Sequence, residues 1–395
     1  MDDVPRFLRL CLRARRDPAA RAAMRDWAAR GSPDWTEVTR LARVGRIAPL
    51  LHGVLRDETF VPPQVRRRFR RAYLSNAQRN LILLRELEAT VAALDAAGVP
   101  AIVLKGGALA KVVYGNMALR SLMDVDLLIR HEHLGDALRV LAQRGFAPHR
   151  PETRDGATDY ENELLVIKPG TVPVPLELHW SFFDSPYYQR RLNLDVWWRQ
   201  AVPFTLGEHQ AFMLDPVSQL LHLCGHLLLH HGGTDLLWEN DVAEFVALYG
   251  TTLDWSALLD RATACDLVIA VRRVLLPIAA EEPGAISADV VERLRSVRPT
   301  ADERRIVGYL TAAERGVGRR FWSDLASMHR WRERVGYAWT HLVPSAAYMR
   351  ERYRIRHRGL LPFYYPYRWF RGLVSWSKVP RAPARNHTPP RTART

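Results

Sequence analysis

The sequence predicts an α+β protein, in which a small mixed sheet lies between helical segments along the chain. Short apolar runs of strand length are confined to about residues 100–180, whereas apolar residues recur at helical spacing before and after them. The length of 395 residues is sufficient for two or three hydrophobic cores. We therefore expect an α/β core with helices on either side.

We expect four regions along the chain. They are an N-terminal helical region, a mixed α/β core, a helical domain and a basic aromatic tail, at residues 1–75, 76–204, 205–345 and 346–395. The boundary near residue 205 marks the point where strand-like runs give way to helical spacing. The Pro-rich, polar composition of the last ~18 residues predicts disorder.

The helices are predicted from spacing and end signals. Residues 1–75 have arginine-rich polar faces. A longer helix is expected from a cap at Ser75 or Asn76 to about Ala97, where apolar residues recur at helical spacing.

The strands of the core are shorter. PAIVL at 100–104 predicts a buried strand, which a tight turn at Gly106 and Gly107 connects to a helix. MDVDLLIR at 123–130 predicts the next strand. ENELLVIK and VPVPLELHW lie on either side of a Pro-Gly turn and predict an antiparallel hairpin.

The formal net charge of +15 would suit a nucleic-acid-binding protein if it were spread over the whole chain. From residue 351 to 395, however, the sequence has ten Arg, one Lys and one acidic residue, so this segment carries +10 of the total. The body keeps only about +5, which does not favour a nucleic-acid-binding protein.

The cysteines and the apolar runs indicate a cytoplasmic protein. Cys11, Cys224 and Cys265 are too few and too scattered for a disulfide framework or a cysteine-rich zinc site. No uncharged apolar run approaches the ~18–20 residues that a membrane-spanning helix needs. The N-terminus lacks a secretory cleavage pattern.

Asp124 and Asp126 stand one residue apart in the second predicted strand. Side chains of a strand alternate with period two, so both carboxylates point to the same face. Two carboxylates this close repel each other unless a cation lies between them. We expect them to bind Mg²⁺ that carries a nucleoside triphosphate.

Glu177 is the best candidate for a third carboxylate. Nucleotidyl transfer builds charge on the attacking and leaving oxygens, which two metal ions ~3.5–4 Å apart can stabilise. Glu177 occupies a central position of the apolar strand PLELHW, where a carboxylate has no structural purpose. His179 shares its face and is a candidate for orienting a ligand or acting as a base.

The glycine pair suits a phosphate-binding loop. Backbone N–H groups of Gly106 and Gly107 can approach a triphosphate closely, and the following helix adds the positive end of its dipole. Lys105 and Arg120 are cations suited to β- and γ-phosphate oxygens. Alternatively, both are solvated or pair with the nearby acids.

Together these residues resemble the nucleotidyltransferases of the DNA polymerase β-like superfamily, whose pattern is a glycine turn, an Asp-x-Asp and a later carboxylate. More narrowly, the chain resembles a bacterial family of uncharacterised nucleotidyltransferases over about residues 45–355. The matching motifs are Leu104-Lys105-Gly106, Ala108-Leu109-Ala110, Tyr114, Arg120, Asp124-Val125-Asp126-Leu127-Leu128 and Glu177-Leu178-His179-Trp180. His222, His226, Asp241 and PSAAYMRERY at 344–353 extend the resemblance more loosely.

The resemblance implies transfer of a nucleoside monophosphate from an NTP to an acceptor, with Mg²⁺ or Mn²⁺ as cofactor. It implies that Asp124, Asp126 and Glu177 are the catalytic metal ligands, and that Lys105, Gly106, Gly107 and Arg120 bind the nucleotide. Many superfamily members have Gly-Ser where this chain has two glycines, so a serine contact with phosphate is missing. A link with surface polysaccharide production is also implied, but the acceptor is left open among proteins, glycan precursors and small molecules.

Two other classes of function stay open. One is a non-catalytic nucleotide-binding or scaffold protein that retains the fold. The other is an RNA-modifying nucleotidyltransferase, which the basic tail permits but the modestly charged body does not favour.

His222, His226 and His230 recur at i, i+4 and i+8, on one face of a predicted helix. Three interpretations stay open: the histidines face the nucleotide or acceptor, pack within the helical domain, or bind zinc. For zinc, no third ligand at a fixed spacing is apparent. Asp241 is a further candidate, as a partner of this helix face or of an arginine.

The tail segment LLPFYYPYRWFRGLVSW interleaves aromatic residues with arginines. It suits an anionic membrane surface, single-stranded nucleic acid, or packing on the body or a partner protein. Pro362 and Pro366 argue against a regular amphipathic helix. With a membrane contact, the protein would be peripheral at the inner membrane face.

Overall fold

The computed structural model describes residues 3–149, 161–311, 317–328 and 330–377. It confirms the predicted α+β class, with a seven-stranded mixed sheet and helices before and after it. The chain divides after Ala312 into two compact units, which are described separately. The predicted disorder of the last ~18 residues lies outside the described residues.

The sheet belongs to the larger unit and has the spatial order β3-β4-β5-β2-β1-β7-β6. Its strands are β1 (Ile102–Val103), β2 (Val125–Leu128), β3 (Ala147–Pro148), β4 (Glu163–Lys168), β5 (Val174–His179), β6 (Val202–Leu206) and β7 (His209–Met213). β2 pairs with β5 in parallel and with β1 in antiparallel orientation, and β4 and β5 form the predicted hairpin. The sequence does not predict the β6–β7 hairpin, which joins the sheet through β1.

The helices of the larger unit precede, interrupt and follow the sheet. They are α1 (Asp3–Arg13), α2 (Pro18–Arg30), α3 (Trp35–Val44), α4 (Ala48–Leu55), α5 (Pro63–Ala96), α6 (Lys105–Val112), α7 (Leu134–Gln143), α8 (Pro186–Arg191), α9 (Leu194–Arg199), α10 (Pro216–Leu229), α11 (Leu236–Tyr249), α12 (Trp255–Ala264), α13 (Val268–Glu281), α14 (Ala288–Ser296) and α15 (Ala301–Leu310).

Two hydrophobic clusters cover the two faces of the sheet. One lies between the sheet and the helices α5 and α7, and it includes Leu87, Val125 and Leu178. The other joins α1–α4 with α10–α15 and reaches the sheet through Ile102 and Leu128. The N-terminal helices therefore share a core with the helices that follow the sheet.

The predicted cap at Ser75 or Asn76 is wrong, because α5 runs through both positions without a break. Asn76 is buried and donates hydrogen bonds from Nδ2 to the carbonyl of Ala118 (2.9 Å) and to that of Arg120 (3.2 Å). Its amide thus satisfies backbone acceptors of the segment before β2 instead of ending a helix.

The smaller unit consists of α16 (Val317–Ser327), α17 (Trp331–Leu342), α18 (Ala346–Tyr353) and α19 (Leu361–Ser377). The Tyr337 hydroxyl donates to Asp324 (2.9 Å), and the Trp369 indole donates to the Leu342 carbonyl (2.6 Å). α19 continues through Pro366, so the expectation that prolines interrupt it is wrong. No described helix is both long and apolar enough to cross a membrane.

We predict that Gly225→Ala destabilises the larger unit, because a Cβ in this part of α10 would lie 2.3 Å from Phe183 Cζ. Displacing Phe183 in a close-packed core should lower the free energy of unfolding by about 1–3 kcal/mol. Gly308 in α15 is the matched control, since no atom of the described residues lies within 4 Å of its Cβ position. Gly308→Ala should stabilise by about 0.5–1 kcal/mol. Urea unfolding measures the stability of both variants, and equal midpoints would contradict this packing of Gly225 against Phe183.

Candidate active site

Polar side chains from β2, β5 and α6 line one cavity of about 300 Å³ in the larger unit. The three predicted carboxylates, Asp124, Asp126 and Glu177, all contribute to it. Asp126 and Glu177 are direct neighbours across the parallel strands β2 and β5. Asp124 shares the cavity because Val125, the residue between the two aspartates, packs into the core on the opposite face.

Asp126 is buried, and its Oδ1 has two basic partners. Lys105 Nζ lies 2.8 Å from this oxygen and His179 Nε2 lies 3.0 Å from it. Lys105 Nζ is also 3.8 Å from Glu177 Oε2. Burial by itself would raise the pKa of Asp126, but the two basic groups lower that pKa well below its ordinary value. The carboxylate is therefore held in its charged form.

His179 lies among three carboxylates. Its Nε2 is 3.4 Å from Glu177 Oε2, and its Nδ1 is 3.1 Å from Glu163 Oε2 on β4. The Nδ1 contact has an ion-pair distance, but Nδ1 has no hydrogen-bond partner within the part of the chain that the structure describes. Burial and the charge of Lys105 oppose protonation, but the three carboxylates prevail and raise the pKa of His179 to about 10.

The donor set fits a divalent cation. Asp126, Glu177 and His179 each offer one ligand atom, and the three atoms lie within 4.8 Å of one another. Carboxylate oxygens suit Mg²⁺ and Mn²⁺, and an imidazole nitrogen suits transition-metal ions. Asp124 lies outside this set, but burial and repulsion from Asp126 and Glu177 raise its pKa to about 7. The cavity therefore holds more negative charge than Lys105 and His179 balance.

The predicted turn at Gly106 and Gly107 is wrong, because both glycines lie in the first turn of α6, which begins at Lys105. Leu104 at the N-cap position makes no side-chain hydrogen bond to this turn. A Cβ on Gly106 would lie 2.3 Å from Arg120 Nη1, so glycine is required for the guanidinium to pass. The uncapped amides and the helix dipole make this end of α6 suitable for an anion.

Arg120 is buried and is fixed by Asp241 of α11. The guanidinium donates three hydrogen bonds to the carboxylate, of 2.7, 3.0 and 3.1 Å. The Tyr114 hydroxyl donates to the same carboxylate at 2.7 Å, and Arg120 Cζ lies 5.0 Å from the Trp238 ring centroid. Asp241 therefore serves as the partner of an arginine, and contact between Arg120 and phosphate stays a prediction.

The predicted histidine stripe divides between the cavity and the core. His226 and His230 line the cavity and stack on each other, with ring centroids 4.7 Å apart. Burial lowers the pKa of His226 well below its ordinary value and that of His230 to about 3, so both rings are neutral. His222 is buried in the core, with its ring centroid 4.7 Å from that of Phe182. These three histidines are not in the group of possible metal ligands found among the described residues.

Glu163 and Trp238 line the cavity without having been predicted from the sequence. Glu163 reaches it because antiparallel pairing places it opposite His179. That register is available in principle from the predicted hairpin. Trp238 comes from α11, far along the chain, and no local pattern connects it with the carboxylates.

The site thus combines a mixed sheet, Asp126 and Glu177 paired across two of its strands, and a helix that begins without a side-chain cap. Residues 31–280 match a family described as uncharacterised nucleotidyltransferase, and this match covers more than half of the chain. The protein therefore belongs to that family of nucleotidyltransferases.

Comparison with solved structures finds similarity to an antigenic nucleotidyltransferase-like protein from Paracoccidioides brasiliensis. The identity is 16% and the TM-score 0.33, over 55% of this chain and 95% of that chain. A similarity of this degree supports no inference about individual residues. Among curated proteins, none matches the chain significantly.

We predict that Asp241→Asn lowers the free energy of unfolding by about 3–5 kcal/mol, because Arg120 would stay buried without a counter-charge. Asp195→Asn is the control, since it removes an exposed ion pair with Arg130 (2.7 Å) and should cost less than about 1 kcal/mol. Urea unfolding compares the two variants. An Asp241→Asn effect no larger than the control would show that the buried pair does not support the fold.

Proposed function

We propose that the protein transfers a nucleoside monophosphate from an NTP to an acceptor with the help of a divalent cation, as a member of the DNA polymerase β-like superfamily. The pairing of Asp126 with Glu177 across β2 and β5, beside the start of α6, carries this proposal. The carboxylates suit a cation, and the helix start suits an anion. One cavity thus suits both parts of a metal–triphosphate complex.

Asp126 and Glu177 would hold the cation, with Asp124 as a further ligand. Bound Mg²⁺ or Mn²⁺ would supply Lewis-acid stabilisation of charge on phosphate oxygens. Lys105 and His179 compensate Asp126 now, so they would share its carboxylate with the cation or move aside. We assign His179 the role of positioning Asp126.

The triphosphate would lie at the start of α6, against its first amides and the Lys105 ammonium. The Arg120 guanidinium lies beside Gly106, and Asp241 balances its charge. Packing explains why position 107 is a glycine, although many superfamily members have a serine there. A Cβ on Gly107 would lie 2.8 Å from Leu87 Cδ2 and 3.1 Å from Val103 Cγ1, so a serine would require the core to move.

In the proposed reaction an acceptor oxygen attacks the α-phosphorus, the bond to the bridging oxygen breaks, and pyrophosphate leaves. The acceptor must give up a proton. The Glu177 side chain is 24% exposed, whereas that of Asp126 is only 4% exposed. We therefore propose that Glu177, the more exposed of the two paired carboxylates, takes up the proton that the acceptor gives up.

His226, His230 and Trp238 form a further part of the cavity wall. His226 Nδ1 and Trp238 Nε1 are buried and have no hydrogen-bond partner among the described residues. A bound molecule that pairs with these atoms would remove the free-energy cost of leaving them unsatisfied. We assign this neutral aromatic wall to the nucleobase or the acceptor.

The test is transfer of label from each NTP, labelled in its α-phosphate, with Mg²⁺ or Mn²⁺ present. A cell extract, separated into protein, RNA, lipid and glycan fractions, supplies acceptors. We predict that Asp126→Asn and Glu177→Gln each lower the transfer about a hundredfold or more, because each removes charge that balances the cation. Glu132→Gln, which changes an acid that is 65% exposed, is the control and should leave the transfer unchanged.

Each outcome has a distinct meaning. Transfer that survives both carboxylate substitutions would contradict the assigned mechanism. Cation-dependent NTP binding without transfer to any fraction would contradict catalysis and support a nucleotide-binding protein. The fraction that takes up label identifies the acceptor class, and label in RNA would support an RNA-modifying transferase.

A further inference from the structure

The smaller unit exposes apolar side chains that the proposed nucleotidyl transfer does not use. On α17, Trp331, Val335, Trp339 and Leu342 are 48–68% exposed. Their spacing of i, i+4, i+8 and i+11 places them on one face of the helix. Soluble proteins rarely leave such a row uncovered.

A second row lies on α19. Phe363, Tyr367 and Phe370 are 47–72% exposed and follow the spacing i, i+4 and i+7, again on one helix face. The two helices are neighbours, because the Trp369 indole donates to the carbonyl of Leu342 at the end of α17 (2.6 Å). We term the seven exposed side chains of these two rows the aromatic surface.

Arginines accompany the aromatic surface. Residues 330–377 contain ten Arg and only two acidic residues. Arg332 Cζ lies 5.5 Å from the Trp331 ring centroid, and Arg371 Cζ lies 5.8 Å from that of Tyr367. Apolar contact area and positive charge are thus found in the same helices.

We propose that the aromatic surface docks on a lipid bilayer with anionic headgroups. Trp and Tyr favour the boundary between headgroups and acyl chains, Phe, Leu and Val favour the acyl side, and Arg pairs with headgroup phosphates. Val335 and Leu342 offer no stacking platform to bases, which disfavours single-stranded nucleic acid as the occupant. The helices α17 and α19 also lie outside residues 31–280, the part that matches the nucleotidyltransferase family. Membrane docking would therefore be a property separate from nucleotidyl transfer.

The test is sedimentation of the full chain with vesicles of phosphatidylcholine, alone or with about a third of phosphatidylglycerol. The native chain should sediment with the anionic vesicles and only weakly with the neutral ones. Trp331→Ser/Trp339→Ser and Phe363→Ser/Phe370→Ser should each raise the lipid concentration for half-maximal binding about tenfold or more, because two inserting rings are lost. Val44→Ser/Leu248→Ser removes exposed apolar side chains of the larger unit and should leave binding unchanged.

A fourth variant separates the aromatic surface from the basic residues beyond it. In this full chain, Lys378, Arg381, Arg385, Arg391 and Arg394 are changed to Gln. We expect weaker binding that still depends on the aromatic surface. Binding that vanishes in this variant but survives both pairs of aromatic substitutions would overturn the proposal.

Two other results would also overturn it. One is binding of a single-stranded RNA oligonucleotide, but not of vesicles, that the aromatic substitutions abolish. The other is a dimer, seen by light scattering without lipid, that Trp331→Ser/Trp339→Ser disperses. Label transfer to a soluble acceptor should be unchanged in all these variants, so failure of membrane docking and failure of the proposed enzyme activity are distinguishable.

Discussion

The buried carboxylate of Asp126 is the constraint on which the candidate site depends. A charge at this depth is stable only when its neighbours compensate it, and Lys105 and His179 do so at 2.8 and 3.0 Å. Lys105 begins α6 and His179 ends β5, so the same contacts that stabilise the charge fix the helix start against the sheet. A buried carboxylate that needs a positively charged neighbour for stability can also bind a metal ion.

The second buried ion pair explains how helices remote in sequence complete the site. Arg120 and Asp241 are 121 residues apart, and their contact brings α11 against the start of α6. Trp238, one turn earlier on α11, then reaches the cavity wall. The shared core of the N-terminal and later helices holds α11 in this position. The cavity is therefore assembled by the whole larger unit, although its carboxylates belong to the sheet.

Periodic patterns in the sequence made part of the candidate site predictable. Strand alternation predicted that Asp124 and Asp126 share a face, and the position of Glu177 in an apolar strand marked it as the third carboxylate. The parallel register of β2 and β5 places it beside Asp126. Long-range features had no local signal, as with the partners of Arg120 and the parallel pairing of β7 with β1. The glycine pair misled because glycine permits a tight turn, whereas here it allows a close approach of other side chains at a helix start. The prediction based on Pro366 was wrong because proline generally disfavours helix interiors, whereas α19 continues through this residue.

Calorimetric titration with Mn²⁺ tests the central claim, that Asp126 and its neighbours form a cation site that Lys105 now compensates. The native chain should bind Mn²⁺, and Asp126→Asn should not. Lys105→Met should bind Mn²⁺ more tightly than the native chain, because a competing ammonium group is gone from the carboxylates. Failure of the native chain to bind Mn²⁺, or equal affinity in Asp126→Asn, would contradict the account.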